Sequence, residues 1–151
     1  PKYVAHIAAG EYKEAIDINP NFTEAYFNLG VAYGEQGKLD EAIPYYQKVL
    51  QINPQHVEAH NNLGVFYLKK GNLDEAQSEY KKALEIKPDY VKGQFNLGYI
   101  CHRQGRTEEA IASFLEVLKI HPNHAEAHTN LAAIYYEKKE YKLSSSMWTR
   151  P

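Results

Sequence analysis

The chain of 151 residues is 44% hydrophobic, which is enough to build one domain around a buried core. Its 17 basic and 19 acidic residues nearly cancel, so it lacks the charge excess typical of proteins that bind nucleic acid or an anionic membrane. No apolar run approaches the ~20 residues that cross a bilayer, the N-terminus lacks the order of a signal peptide, and Cys101 is the only cysteine. We therefore expect a cytoplasmic protein with no nucleic-acid partner and no membrane insertion.

Residues 1–22 are predicted to form a partial unit that ends at Pro20. The stretch from Gly10 to Ile16 is typical of a link followed by the start of a helix, whereas the stretch from Ala15 to Pro20 is typical of a helix end. These two alignments to the repeat place different parts of the second helix on nearly the same residues, so a full-length unit cannot satisfy both. Either this unit is shortened or part of it is missing.

Residues 23–124 repeat one 34-residue unit three times, with boundaries at 23–56, 57–90 and 91–124. Each copy contains asparagine, leucine and glycine in succession near its start, as in Asn28-Leu29-Gly30. Each copy also closes on a proline, which cannot continue a helix and disfavours helical backbone in the residue before it. These prolines are Pro54, Pro88 and Pro122.

Apolar residues recur within each copy at three- and four-residue spacing in two blocks, which predicts two amphipathic helices. A glycine that can adopt positive φ separates the blocks, at Gly37, Gly71 and Gly105. Asp40 and Asp74 are expected to favour the second helix as caps and through its dipole, and Pro44 is expected in the first turn, where it costs few or no hydrogen bonds. Close helix crossings are expected at the small residues Gly30, Gly64, Gly98, Ala42, Ala76 and Ala110.

Residues 125–151 begin a fourth, truncated unit. Lys139 replaces the linking glycine, and Trp148 stands where Tyr46, Tyr80 and Phe114 are predicted to pack inward. Tyr135 is expected in the core. We expect the chain to stop within the second helix of this unit and to be a fragment of a longer array. Trp148 would then be poorly covered, which predicts self-association through the repeat ends.

The leucine-glycine pair, the tyrosine three residues later, the alanine followed by an aromatic residue and the closing proline resemble the tetratricopeptide repeat (TPR) family. The resemblance covers nearly the whole chain, with departures such as Cys101 for tyrosine and His60 for an aromatic residue. It implies an all-α, right-handed superhelical solenoid of antiparallel helix pairs whose first helices line a concave groove. It also implies a protein-interaction module.

The histidines and Cys101 are the candidates for metal binding or catalysis. His56 and His60 are four residues apart, as are His124 and His128, a spacing that can bring two rings onto one metal. No third ligand stands at a matching place, so structural roles are favoured and no metal or cofactor is expected. Cys101 and His102 are adjacent and point about 100° apart on a helix, so they cannot form a nucleophile–base pair. The chain is predicted not to be an enzyme.

An asparagine recurs at a 34-residue interval in every first helix, as Asn28, Asn62, Asn96 and Asn130. Each precedes a core leucine and lies about 100° around the helix from it, and asparagine is a poor helix former, so its recurrence needs a reason. Shared ancestry of the copies or bonding to a neighbouring helix would explain it, but a groove function is favoured. The arrangement is similar to the asparagine ladder in the repeat region of O-linked N-acetylglucosamine transferase, which implies that these side chains hold the backbone of an extended peptide.

The predicted peptide-binding set adds flanking residues to the four asparagines, namely Phe27, Val31, Phe95, Tyr99, Tyr136, Lys69, Lys92 and Arg103. The carboxylate clamp of chaperone-binding relatives is mostly missing, because Phe27, Val31 and Asn96 stand where it needs lysine, asparagine and arginine. A chaperone tail is therefore a disfavoured ligand. The leading hypothesis is a module that binds an extended peptide in its groove. The alternatives are a self-assembling structural scaffold and a substrate-selecting arm of a larger glycosyltransferase.

Overall fold

The computed structural model describes the backbone of residues 2–148 and the side chains of residues 2–145. Over this range the chain is all-α, without strands, as the periodicity predicts. None of the helices described is both long and apolar enough to cross a membrane. The helices are α1 (Lys2–Ile18), α2 (Thr23–Glu35), α3 (Leu39–Ile52), α4 (Val57–Lys69), α5 (Leu73–Ile86), α6 (Val91–Arg103), α7 (Thr107–Ile120) and α8 (Ala125–Trp148).

The chain divides into two compact units, residues 1–88 and residues 89–151. In the first unit each helix from α1 to α5 packs on its neighbour in the chain, around a core that includes Leu29, Tyr46 and Leu63. In the second unit α7 packs on both α6 and α8, around a core that includes Phe114 and Ile134. Within each pair α2–α3, α4–α5 and α6–α7, the two helices pack directly on each other.

The link between the helices of each pair is closed by a glycine in the left-handed region, as predicted. Gly37 has φ 75°, its amide donates to the Gly34 carbonyl at 3.0 Å, and the Lys38 amide donates to the Tyr33 carbonyl at 3.0 Å. This pair of bonds satisfies carbonyls that the helix end would otherwise leave unpaired. The same arrangement recurs at Gly71 (φ 83°) and Gly105 (φ 74°).

The starts of the second helices differ in detail from the prediction. The N-cap of α3 is Lys38 and makes no side-chain cap, so Asp40 lies in the first turn without capping it and instead forms an ion pair with Lys70 at 2.6 Å. Asp74 is likewise in the first turn of α5, whose N-cap is Asn72. Pro44 lies in the helix interior rather than in its first turn. Because proline has no amide hydrogen, α3 loses one backbone bond there.

The expected close crossings are present, and each is a contact between a glycine and a ring. A Cβ atom added at Gly30 would lie 2.9 Å from Cζ of Tyr46, a buried ring of the paired helix. Equivalent approaches occur at Gly64 to Tyr80 and at Gly98 to Phe114. Ala42, Ala76 and Ala110 are fully buried. A larger residue at one of these glycines would displace an aromatic side chain of the core, and one at an alanine would overpack a fully buried position.

Both ends of the array differ from the full copies. Gly10 lies inside α1, which continues from Lys2 to Ile18 without a break. At the other end α8 continues through Lys139, where no glycine is available to end the helix, so within the described part of the chain no second helix folds back. The prediction that Tyr135 is in the core is therefore wrong: its side chain is 50% exposed because α8 continues past it instead of turning back. The Trp148 side chain lies outside the described residues.

Candidate functional site

In three of the four units that begin at residues 23, 57, 91 and 125, the side chain of the fourth residue bonds to the carbonyl of the preceding proline. The Tyr26 hydroxyl donates to the Pro20 carbonyl at 2.8 Å. His60 Nε2 lies 2.9 Å from the Pro54 carbonyl, and His128 Nε2 lies 2.8 Å from that of Pro122. Since a carbonyl can only accept, these ring nitrogens carry hydrogen. The histidines that replace the aromatic residue thus keep its hydrogen bond.

The first histidine of each pair is an N-cap. His56 Nδ1 accepts from the Ala59 amide at 3.1 Å, and His124 Nδ1 accepts from the Ala127 amide at 3.2 Å. Each bond satisfies one of the donors that a helix N-terminus leaves unpaired. All four histidines spaced in pairs therefore hold helix ends and turns. Among the described residues no cluster of three or more His, Cys, Asp or Glu is placed to hold a metal.

His60 also forms a buried ion pair with Glu79. His60 Nδ1 lies 2.7 Å from Glu79 Oε2, and Lys82 Nζ lies 3.1 Å from Glu79 Oε1. The hydrogen bond to Glu79 raises the pKa of His60, against the opposing effect of burial and with further help from the Pro54 carbonyl. Burial by itself would raise the pKa of Glu79, but the bonds from His60 and Lys82 outweigh it and the pKa is lowered. Both ring nitrogens of His60 face oxygen acceptors, so the charged form of the ring, with a hydrogen on each nitrogen, satisfies both bonds.

The four asparagines are half-buried, but they do not share one environment. The Asn62 amide nitrogen donates to the Tyr46 hydroxyl on α3 at 3.4 Å, which is long for a hydrogen bond. Asn130 donates to the Glu126 carbonyl of its own helix at 2.8 Å. One N–H of the Asn62 amide therefore bonds to a neighbouring helix, which is one of the alternatives to a groove role. Its carbonyl oxygen and second N–H remain for other partners.

A cavity of about 290 Å³ opens between α2 and α4, with α3 behind it. It contains three predicted groove residues, Val31, Asn62 and Lys69. We call it the α2–α4 cavity. Its full lining is Val31, Gly34, Glu35, Tyr46, Asn62, Val65, Phe66 and Lys69.

Phe27 and Phe95 belong mainly to the packing of their units. The Phe27 ring stacks on His56 at 4.9 Å and meets the Tyr46 ring edge-on at 5.6 Å. The Phe95 ring stacks on His124 at 5.2 Å and is tilted against Phe114 at 5.5 Å. Both rings remain half-buried, and neither lines the α2–α4 cavity.

The remaining predicted residues do not converge on one cavity. Tyr99 is 37% exposed, with the Arg103 guanidinium 6.0 Å from its ring centre. Tyr136 is 66% exposed on α8. Lys92 lines a separate depression beside His121 and His124 in the second unit. Asn28 is half-buried on α2 outside the lining of the α2–α4 cavity.

The sequence reasoning missed Glu35, Tyr46, Val65 and Phe66 as cavity residues. Two of them could have been predicted from the repeat, because they are equivalent to residues of the predicted set. Val65 is the counterpart of Val31 one repeat later, and Glu35 is the counterpart of Lys69 one repeat earlier. Tyr46 and Phe66 occupy core positions of the repeat pattern. The pattern alone does not show that their ring edges line an opening.

Family models agree with the repeat pattern. Models described as tetratricopeptide repeat match residues 34–94 and residues 11–43 and 79–112, and a model described as TPR repeat matches residues 98–139. Together these matches run without a break from residue 11 to residue 139. No match is found among curated proteins.

Solved structures with the same fold include a crystal structure of MamA, with a TM-score of 0.81 and 22% identity over 87% of this chain and 77% of that one. The ArsTM double mutant of MamA RS-1 has a TM-score of 0.83 and 21% identity over 96% of this chain and 82% of that one. The first TPR of Spaghetti (RPAP3), bound to the HSP90 peptide SRMEEVD, has a TM-score of 0.75 and 26% identity over 78% of this chain and 93% of that one. The helix pairs, the matched models and these structures together show that the chain belongs to the tetratricopeptide repeat family and is an all-α helical-repeat solenoid.

Proposed function

We propose that the chain is a protein-interaction module whose first unit binds an extended peptide along α2 and α4. TPR domains are protein-interaction modules, and the similar first TPR of Spaghetti is bound to a peptide. The observation that carries the proposal is the convergence of Val31, Asn62 and Lys69 on the α2–α4 cavity. The repeat pattern predicts a groove role for all three, and they line one opening of about 290 Å³, which has room for a ligand group.

The recurring asparagines suit a peptide backbone. Packed helices lie ~8–10 Å apart and an extended chain advances ~3.3 Å per residue, so Asn28 and Asn62 would meet backbone groups about three residues apart in the ligand. A primary amide offers both a donor and an acceptor, so it can hold one peptide unit by two bonds whatever side chain that unit carries. Bonds to the main chain of the ligand would therefore provide affinity, and contacts from neighbouring groove residues would provide preference for particular ligand side chains.

The proposed ligand differs in chemistry from a chaperone tail. The peptide on the similar Spaghetti repeat ends in an acidic sequence. In this chain Phe27 and Val31, which replace two polar residues of the carboxylate clamp, are half-buried apolar side chains that pack on the first core. A terminal carboxylate would gain no charged hydrogen bond from either of them.

Replacing Asn28 and Asn62 together by alanine tests the proposal. Each lost hydrogen bond costs about 0.5–1.5 kcal/mol, so Asn28→Ala with Asn62→Ala should weaken peptide binding at least tenfold and leave the Tm nearly unchanged. Binding is measured by fluorescence polarisation with a labelled mixture of extended peptides. The matched control is Gln51→Ala, which removes an exposed amide from α3 and should not change binding. If the double variant unfolds, the asparagines are structural; if it binds normally, the peptide lies elsewhere.

Self-assembly as a scaffold is a second candidate, and exposed apolar side chains favour it. Tyr3, Val4 and Ile7 on α1 are between 51% and 75% exposed. Tyr135, Tyr136 and Tyr141 on α8 are between 50% and 75% exposed. Side chains of this size at the ends of a repeat array are contact surfaces for a further helix or a second copy. A role as the arm of a larger glycosyltransferase stays a prediction from the asparagines alone.

A further inference from the structure

We infer that the α2–α4 cavity is a subsite for one apolar side chain, of leucine, methionine or phenylalanine size, in a ligand with an acidic residue on one side of that anchor and a basic residue on the other. The inference rests on the proposed function, since the anchor belongs to the extended peptide on α2 and α4. Three features of the cavity carry it: an apolar interior, a polar group at its base and opposite charges at its mouth.

The interior is apolar because a glycine faces a phenylalanine. A Cβ atom at position 34 would lie 2.5 Å from Cζ of Phe66, so only glycine lets the Phe66 ring lie against the α2 backbone. The half-buried side chains of Val31 and Val65 complete the walls. A volume of about 290 Å³ with such walls suits an aliphatic or aromatic side chain and offers a charged one no partner inside.

The base of the cavity orients Asn62 toward a ligand. Burial raises the pKa of Tyr46 to about 12, although the bond from Asn62 opposes the rise, so the hydroxyl is protonated at neutral pH. It accepts from Asn62 at 3.4 Å and keeps its own proton to donate. The equivalent of this tyrosine before Asn130 is Phe114, which has no hydroxyl, and there the asparagine turns to the Glu126 carbonyl of its own helix. A hydroxyl at this place is not sufficient for the bond, because the hydroxyl of Tyr80, the equivalent before Asn96, has no hydrogen-bond partner among the described residues. The geometry of the first unit makes Tyr46 a positioning residue for Asn62.

The mouth of the cavity carries one charge of each sign. Glu35 on α2 and Lys69 on α4 are exposed, and among the described residues neither forms an ion pair. The Lys69 ammonium lies 5.7 Å from the centre of the Phe66 ring, which places it beside the apolar interior. A basic ligand residue would face Glu35 and an acidic one Lys69. Complementary charges at a rim set specificity and register more than affinity.

The test is an array of synthetic peptides of about nine residues, probed with the whole chain. The central residue is Leu, Met, Phe, Ala or Asn, and the flanking residues are Glu and Lys in either order or glutamine on both sides. We expect Leu-, Met- or Phe-centred peptides to bind at least tenfold more tightly than the Asn-centred one, and one order of charges to be preferred over glutamine. Glu35→Lys with Lys69→Glu should reverse the preferred order.

Two cavity-filling variants check the location. Val65→Trp, and Val31→Trp from the opposite wall, should each abolish the preference for an apolar centre while the Tm stays within a few degrees. For Tyr46 the measurement is a double-mutant cycle: Tyr46→Phe should lower affinity at least threefold in the wild type and have no further effect beside Asn62→Ala. An equal loss in both backgrounds would show that Tyr46 does not act through Asn62.

The possible failures are distinguishable. Peptides that bind without preference for the central residue, and equally well to both tryptophan variants, would overturn the cavity inference and leave peptide binding intact. If no peptide binds at any centre, the cavity inference and the proposed function fail together.

Discussion

The buried pair of His60 and Glu79 makes the second repeat sensitive to pH. His60 has a raised pKa, so its contribution to stability is complete below the ordinary value of 6.5 and is lost as pH rises through the raised value. Glu79 has a lowered pKa, so its contribution is complete above 4.5 and is lost as pH falls through the lowered value. The stabilisation from the pair is therefore greatest between these limits.

We expect the free energy of unfolding to fall as pH is raised above 6.5, and Glu79→Gln to reduce that dependence. Glutamine keeps the shape and the hydrogen bond but removes the charge that holds the proton on His60. Hydrogen bonds to charged groups contribute roughly 1.5–3 kcal/mol, which is the upper limit we expect for the pH-dependent change in the free energy of unfolding. Urea unfolding at several pH values between 6 and 9 measures it.

The control for this prediction is His128→Tyr. His128 makes the same bond to a proline carbonyl, and the hydroxyl of Tyr26 shows that tyrosine can make that bond. Among the described residues no carboxylate is hydrogen-bonded to His128, so this variant lacks the His60–Glu79 type of pair and should leave the pH dependence unchanged. A Glu79→Gln variant with the full wild-type dependence would assign the effect to another group.

At the scale of the helix, the crossing of α4 and α5 tolerates little added volume. Ala76 is fully buried on α5, and on α4 a Cβ atom at Gly64 would lie 2.6 Å from the Tyr80 ring. Ala76→Leu should therefore destabilise the protein by roughly 1–3 kcal/mol through overpacking. Thermal unfolding followed by circular dichroism measures the change. The stability of a repeat array is close to a sum over its repeats and their interfaces, so the loss at this one crossing should lower the Tm of the whole chain.

Lys81→Leu on the same helix provides the comparison. Lys81 is exposed, and surface substitutions away from special features change stability by no more than about 0.5 kcal/mol. An Ala76→Leu variant that melts like the Lys81→Leu variant would show that Ala76 does not lie at a tight crossing.

For the whole molecule, the exposed tyrosines of α8 predict reversible self-association. Tyr135 and Tyr141 are 50% and 75% exposed because α8 continues where a full repeat would turn back and cover its first helix. The mass measured by sedimentation should rise with protein concentration, and Tyr135→Gln with Tyr141→Gln should lower that rise by removing apolar contact area. Undiminished association in the double variant would place the contact elsewhere, for instance on Tyr3 and Ile7 of α1.

Much of the fold could be predicted because the repeat samples each position several times. One glycine between two apolar blocks is ambiguous, but Gly37, Gly71 and Gly105 at the same place predict a left-handed helix end, and all three have positive φ. The ends of the array were harder to predict. Gly10 and Lys139 have no equivalents with the same neighbours, and in both places the helix continues.

The sequence by itself determined the helix pairs and the glycine that ends the first helix of each pair, because hydrophobic period and turn residues are local properties of the chain. Only the tertiary structure decided that Tyr46 bonds Asn62, that Glu79 bonds His60 and that Gly34, Phe66 and Lys69 surround one opening. These relations join side chains on different helices. Their distances depend on how the helices pack, and no spacing along the chain records that.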